Sequence, residues 1–481
     1  MKFTRVVFVL LATVIFADGG CCRDSSGDAV CKLERSDWAP DVKDNVNEFI
    51  SLYHNAKDAY VVFDFDNTCS IFDVGYHLMM YQLETMSFAL PPKEFESAIS
   101  ADLEGAPPVS RDWISDVSSA YAHLYREYGP FSSAGLDDTA LEQVRKDPFW
   151  LEFASKMSAM YNRVGGWTSD DVKYKWVLYW CSGMTEKEVY DLSMRSHLKY
   201  SKVQTSAVKW EGRPDIKSSL GPVTFEWICG IQVTDNIREL WKVLKNNGFD
   251  IWVCSASGIQ QVIAAVDAFG LHDCCTGVLG MTAKLDSSGK YVSEYDYENG
   301  CGWRAVDGGW ERDTRPTRAL TAGPGKVTAI CSSIAPSYSG AGPLAGFMDS
   351  TGDFNFCTEF NSLKMVICFN RADRKVTDGG GVISEVALYE RDGLGYTVAS
   401  ANAAGDTMYL LQGRDENGYR TFRPSNASGR FGTSEERLLS DEDNFAQLEQ
   451  MKTRKMKVSE AINTFSAGFL PSYPGYHHLK Q

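Results

Sequence analysis

Apolar positions along the chain fall into two alternating rhythms. Tyr60 to Phe63 is an unbroken run of β-branched and aromatic residues, the composition of a strand buried on both faces, and it stops in Asp64 and Asp66, followed by Asn67-Thr68. Ile251 to Cys254 repeats the pattern and runs into Ser255-Ala256-Ser257. Leu344 to Met348 repeats it again and ends in Asp349-Ser350-Thr351-Gly352-Asp353, and Met365 to Phe369 supplies a fourth run. Between these, apolar residues recur at helical spacing: around Val42 to Tyr53, then Ile237, Leu240, Trp241 and Leu244 closing at Gly248. Two further sets are Ile259, Val262, Ile263, Val266, and Val327, Ile330, Ile334 behind Gly325-Lys326. Strand and helix in alternation predict an α/β fold with a doubly wound parallel sheet of Rossmann-like type.

From Asp73 to about Ser219 the pattern changes. Long amphipathic stretches such as Tyr76, Met79, Met80, Leu83, or Leu141 through Tyr161, predict a large, mainly helical domain inserted at 73–219. Residues 21–72 and 220–481 then form the core with a C-terminal extension. Ser287-Ser288-Gly289 marks a hairpin turn. Beyond residue 372 only short strands, turns and a polar helix from about Asp441 can be read.

A formal net charge of -15 argues against nucleic acid as partner, because such binding draws on clustered Lys and Arg, and the one basic cluster, Lys452 to Lys457, suits the wet face of a helix. Lys2 and Arg5 before the apolar run Val6 to Phe16, with small residues after it, predict an export signal over 1–20 and a periplasmic or extracellular location. The run is too short to span a bilayer. Gly19-Gly20-Cys21 also resembles a bacterial lipoprotein processing site, which would put a lipid anchor on Cys21, although Asp18 stands where such sites carry an aliphatic residue. Thirteen cysteines fit export, and the absence of any Cys-x-x-Cys pair argues against zinc. Cys69 and Cys254 read as small buried apolar residues, whereas Cys274, Cys275, Cys301, Cys331, Cys357 and Cys368 are candidates for disulfides.

Four polar groups thus stand at strand ends or helix starts in the order Asp64/Asp66, Ser255, Lys326, Asp349/Asp353. Ligands of an open parallel sheet bind beyond the carboxyl ends of its strands, so these groups converge on one mouth. Singly, a Ser after a strand is usually a cap and a Lys at a helix start is usually solvated. Phosphoryl transfer needs an in-line nucleophile and cations to offset the charge on the transferring oxygens. Asp64 suits the nucleophile, Asp66 the general acid and base, Ser255 a hydrogen-bond donor to a phosphoryl oxygen, and Lys326 a screening cation. Oxygen ligands from Asp64, Asp349 and the main-chain carbonyl of Asp66, steadied by Asp353, suit Mg2+.

Over roughly 55–75 and 225–371 this ordered set resembles the haloacid dehalogenase (HAD) superfamily of phosphatases. The resemblance implies an aspartyl-phosphate intermediate, a cap domain that sets the substrate, and ester hydrolysis, since the acid at Asp66 separates phosphatases and mutases from dehalogenases. Met348 departs from it, standing where the family usually has Gly, so a positive φ there would be strained.

Tyr174 to Tyr190, the Phe72-Asp73 stretch and Leu279-Gly280-Met281 are similar to secreted bacterial phosphorylcholine phosphatases. That similarity implies a small phosphate ester as substrate. A choline cage from Trp167, Tyr174, Trp176, Tyr179 and Trp180 is expected, with Trp176, Tyr179 and Trp180 as its contacts, although aromatics at helical spacing usually face a core. Related enzymes carry an acidic pair shortly after Asp73, where this chain reads Val74-Gly75-Tyr76. The alternatives are a broad-specificity acid phosphatase, a phosphomutase, or a non-catalytic binding protein on the same scaffold.

Overall fold

The computed structural model describes residues 21–23, 29–375, 378–418, 420–440 and 445–466. The export signal at 1–20 lies outside them. So does the Cys21 side chain on which a lipid anchor would sit.

Six parallel strands form the centre of an eleven-stranded mixed sheet: β1 (Tyr60–Phe63), β2 (Asp250–Gly258), β3 (Gly277–Met281), β4 (Ala345–Met348), β5 (Met365–Asn370) and β6 (Met408–Asp415). Their spatial order is β3-β2-β1-β4-β5-β6, with an antiparallel pair, Cys301–Val306 and Gly309–Pro316, beyond β3. The chain therefore builds outward from β1 one way and then the other. The reversal falls between β1 and β4, and at such a switch point diverging crossovers leave a crevice. Register holds the two strands together: Phe347 pairs with Phe63, and their rings stack 3.7 Å apart.

Both sheet faces are covered, which is why the strand runs are apolar without alternation. Val61 and Phe63 face a cluster with Phe49 and Trp241 from the helices Pro40–Tyr53 and Asp235–Asn246, while Tyr60 and Val62 face Val327, Val382 and Val386 on the other side. Met348 belongs to that second cluster, fully buried, and it is not among the residues with positive φ. The position tolerates a side chain without backbone strain.

Seven α-helices run between Val74 and Tyr200, and the segment then closes in an antiparallel hairpin, Ser206–Glu211 with Thr224–Cys229. The hairpin adds a small sheet to this mainly helical stretch: Trp210, Phe225 and Trp227 alternate inward, and the two strands pair only with each other. The C-terminal stretch that read as short strands and turns also contributes to the core. Helix Gly379–Tyr389 is buried along its whole length, and β6 extends the parallel sheet beside β5.

Cys274, Cys275, Cys331, Cys357 and Cys368 are free thiols, so the disulfides expected of them do not form; Cys357 and Cys368 serve as small apolar groups under the sheet, as do Cys69 and Cys254. Cys31 is disulfide-bonded. No helix of the described residues is long and apolar enough to cross a membrane.

His197, fully buried on helix Glu186–Tyr200, donates Nε2–H to the Gln261 carbonyl at 3.0 Å, and burial lowers its pKa to about 4. The unfolded imidazole protonates near pH 6.5 and the folded one only near 4. His197 therefore costs nothing above that window and destabilises progressively as pH falls through it. Urea midpoints for wild type and His197→Gln at pH 7 and pH 4.5 should show the variant losing about 2–3 kcal/mol less on acidification. The raised carboxyls described below act in the opposite sense, so the difference between the two proteins is the readout.

Candidate active site

The end of β1 is fixed by backbone before any side chain is placed. Asp64 N–H donates to the Phe347 carbonyl at 3.0 Å, and the chain then turns sharply, with Cys69 N–H returning to the Phe65 carbonyl at 2.9 Å. Asn67 sits at φ 62°, a conformation asparagine accepts more readily than most residues. Asp64 is thereby aimed into the crevice. Its Oδ2 accepts from Thr68 Oγ1 at 3.0 Å and its Oδ1 from Lys326 Nζ at 2.6 Å.

Lys326 is 1% exposed and also donates to Asp353 Oδ1 at 2.6 Å, so one ammonium bridges acids from two strand ends. Asp353 Oδ2 accepts Asp349 N–H at 3.3 Å, which fixes the turn after β4. The result is a buried cluster in which carboxylate oxygens of Asp64, Asp349 and Asp353 lie within 4.8 Å of one another.

Asp66 is held apart from this cluster. Its Oδ1 accepts Val74 N–H at 2.7 Å and its Oδ2 the Ser257 hydroxyl at 2.6 Å. Here the structure shifts one expectation. Ser255 is fully buried and does not line the crevice; its hydroxyl reaches only Asp66 Oδ2 at 3.4 Å and accepts Ser257 N–H at 3.1 Å. The hydroxyl at the mouth belongs to Ser257, two residues further along β2 on the same side of the strand.

Charge follows from this geometry. Burial, then the neighbouring Asp353, push Asp64 up to about 8 against the pull of Lys326. Burial, then Asp73 and Asp64, raise Asp66 well above the usual carboxyl range. Burial also disfavours the Asp349 carboxylate, but Arg371 and Arg374 outweigh it and hold that group below the usual range. Burial pulls the Lys326 ammonium down, and Asp353 and Asp64 more than reverse it. Five carboxyls (Asp64, Asp66, Asp73, Asp349, Asp353) and three cations (Lys326, Arg371, Arg374) line one cavity of about 180 Å³, a formal deficit of two charges when all are ionised. Oxygen-only donors and that deficit fit one hard divalent cation.

Arg371 and Arg374 were not anticipated. Both follow β5, and both place a guanidinium nitrogen on Asp349 Oδ2, at 3.0 and 3.3 Å. The other Asp349 oxygen carries no hydrogen bond among the described residues.

Aromatic residues also line the cavity, but other ones than expected. Trp176 is buried with its Nε1–H on the Ile99 carbonyl, Tyr179 donates its hydroxyl to Asp102, and Trp180 packs edge-on against Trp176. None of the three lines the cavity. The same helix turns its other face inward, so Tyr174 and Val177 line it instead, with Tyr76, Met79 and Tyr161. Gly75 forms part of the wall as well: a Cβ there would stand 2.8 Å from Ser257 Oγ and 2.9 Å from Gln261 Oε1. A larger residue would require both side-chain oxygens to move.

Neither a protein-family model nor a curated protein matches the sequence. Among solved structures, a protein of unknown function from Bordetella pertussis Tohama I reaches a TM-score of 0.31 at 12% identity, over 74% of this chain and 99% of that one. A phosphoserine phosphohydrolase-like protein from Francisella tularensis subsp. tularensis SCHU S4 reaches 0.25 at 14% identity, over 65% and 88%. Both are too loose to bear on this chain's chemistry. A conserved protein of unknown function from Anaerococcus prevotii DSM 20548 superposes at TM-score 0.65 with 24% identity, over 83% of this chain and 99% of that one, and shows that the mixed α/β fold with its mainly parallel central sheet is shared.

Proposed function

We propose that the chain is a divalent-metal-dependent phosphomonoesterase of the HAD type, working through a phosphorylated Asp64. The observation that carries this reading is the convergence of the Asp64, Asp349 and Asp353 carboxylates at a topological switch point, two of them sharing the Lys326 ammonium, with Asp66 held separately beside them. Magnesium suits the carboxylates of Asp64 and Asp349 with the main-chain carbonyl of Asp66, and when bound it offsets the repulsion between a carboxylate and a phosphate dianion.

The remaining chemistry belongs to the chain. An Asp64 oxygen attacks phosphorus as the bond to the leaving oxygen breaks, and Lys326, already on Oδ1, keeps that carboxyl oriented. Asp66, fixed by Ser257 and by Val74 N–H, delivers a proton to the departing alkoxide. It then takes one from the water that opens the aspartyl phosphate. Residues 73–219 act as the cap that excludes bulk water, and the leader at 1–20 directs export, with Cys21 acylated if lipoprotein processing occurs.

Phosphorylcholine is the leading substrate. Tyr76, Tyr161 and Tyr174 stand in one cavity with the half-buried Asp73, and aromatic faces with a carboxylate hold quaternary ammonium at about 0.5–2 kcal/mol per contact. Arg371 and Arg374 in the same cavity favour a second reading, a broader esterase that accepts acidic leaving groups. A panel of phosphorylcholine, phosphoethanolamine, glycerol phosphate, phosphoserine and an aryl phosphate separates them. Phosphate release should require Mg2+, stop on chelation and be fastest with phosphorylcholine. Equal rates across the panel favour the broader esterase, and no release from any ester with Mg2+ present refutes the enzyme reading.

A further inference from the structure

We infer that Arg414, at the end of β6, is a positioning residue that braces the Asp64–Thr68 loop through Asn67; its kinetic consequence rests on the phosphatase reading, its structural one does not. Arg414 is 1% exposed and donates Nη1–H to the Asn67 carbonyl at 2.6 Å and Nη2–H to Asn67 Oδ1 at 3.3 Å. One guanidinium thus grips both the backbone and the side chain of a residue 347 positions away. Its Nη2 also donates to Glu416 Oε1 at 2.6 Å, and Glu416, itself buried, receives Phe431 N–H on its other oxygen at 3.3 Å.

The position of Asn67 gives this grip its meaning. It lies between Asp66, whose carboxyl is tied to Ser257, and Thr68, whose hydroxyl holds Asp64 Oδ2, and it lines the cavity with a left-handed backbone. A rotation of the Asn67 peptide would move the candidate acid and the candidate nucleophile together. A planar fork that fixes both oxygens of one residue resists that rotation in a way a single ammonium cannot. The cost is visible: Arg414 Nε is buried without a hydrogen-bond partner among the described residues. Burying an arginine and leaving one donor unmade is poor value for stability alone, where an apolar residue of similar volume serves better. It is what a site held to a fraction of an ångström requires. The C-terminal stretch thereby acquires a role, since β6 carries the brace to the active-site end of the sheet.

The test uses full-length wild type, Arg414→Lys, Asn67→Gly and the pair Arg414→Met/Glu416→Gln, which removes both charges so that no buried carboxylate is stranded. Amide exchange over 64–70 should rise in the pair variant while protection in β2 and β5 stays at wild-type level. With an aryl phosphate and Mg2+, kcat should fall about a hundredfold with little change in KM, the usual result of misplacing reacting groups by about an ångström. Arg414→Lys should not restore it. Asn67→Gly keeps the left-handed backbone, and combined with the pair it should add little further loss. Unchanged exchange over 64–70 overturns the brace whether or not the wild type hydrolyses esters. Unchanged kcat in an active wild type overturns its catalytic consequence. An inactive wild type counts against the phosphatase reading, with the exchange arm still deciding the brace. If the pair variant does not fold, the same readouts on Arg414→Lys decide.

Discussion

Asp64→Asn should abolish turnover while leaving the protein folded. The substitution keeps the shape of the side chain and its hydrogen bond with Thr68, but an amide cannot accept a phosphoryl group, and loss of a nucleophile costs on the order of 10⁴-fold or more in kcat. The folded state will not suffer. Burial pushes Asp64 up to about 8, so at pH 7 a neutral amide is close in charge to the form it replaces, and Lys326 keeps Asp353 as its partner. Steady-state hydrolysis of an aryl phosphate and a thermal melt read the two halves. Retained activity at a tenth of wild type or above removes Asp64 as nucleophile, and a large fall in melting temperature would mean that Asp64 is a structural ion-pair partner instead.

Lys326→Met should damage both properties. Its ammonium is the one cation shared by Asp64 and Asp353, both buried, and removing it strands two carboxyls in a water-poor site. Breaking a buried pair from one side costs about 3–5 kcal/mol. Activity should fall with it, because nothing then restrains Asp64 Oδ1. Mg2+ should raise the melting temperature of this variant more than that of wild type, since a divalent ion can supply part of the lost positive charge and ligand binding adds directly to stability. Urea unfolding with and without Mg2+ checks this. Equal stability of variant and wild type would show that the acids protonate at little cost and that Lys326 is not their neutralising partner.

The centre of the fold was legible because its signal is local. Strands buried on both faces must be apolar throughout, as at Tyr60–Phe63, and they must stop where polar groups begin. Asp64, Asp349 and Asp353 could each be placed by their distance from such a stop, and Lys326 by the helix that opens behind Gly325. What was lost depended on partners far along the chain. Ser255 and Ser257 share a strand face, and only the depth of the crevice decides which one reaches it. Trp176 and Tyr174 sit two residues apart on one helix, yet periodicity cannot say which side meets the core and which the cavity. β6 passed for one of several short strands because its apolar half, Met408 to Leu411, runs straight into Gln412-Gly413-Arg414. Parallel pairing with β5, which defines it, leaves no mark in the local text. Arg414 was hidden for the same reason, whereas Arg371 and Arg374 follow a strand that was read and show their role only through contact with Asp349.

Where a helix start comes so near its neighbours that an added methyl group would meet two side-chain oxygens, as at Gly75 against Ser257 and Gln261, the wall of the proposed substrate cavity is set by side chains that hold one another in place. Under the phosphatase reading, room for a larger leaving group would come from shortening Met79 or Val177, which line the same cavity.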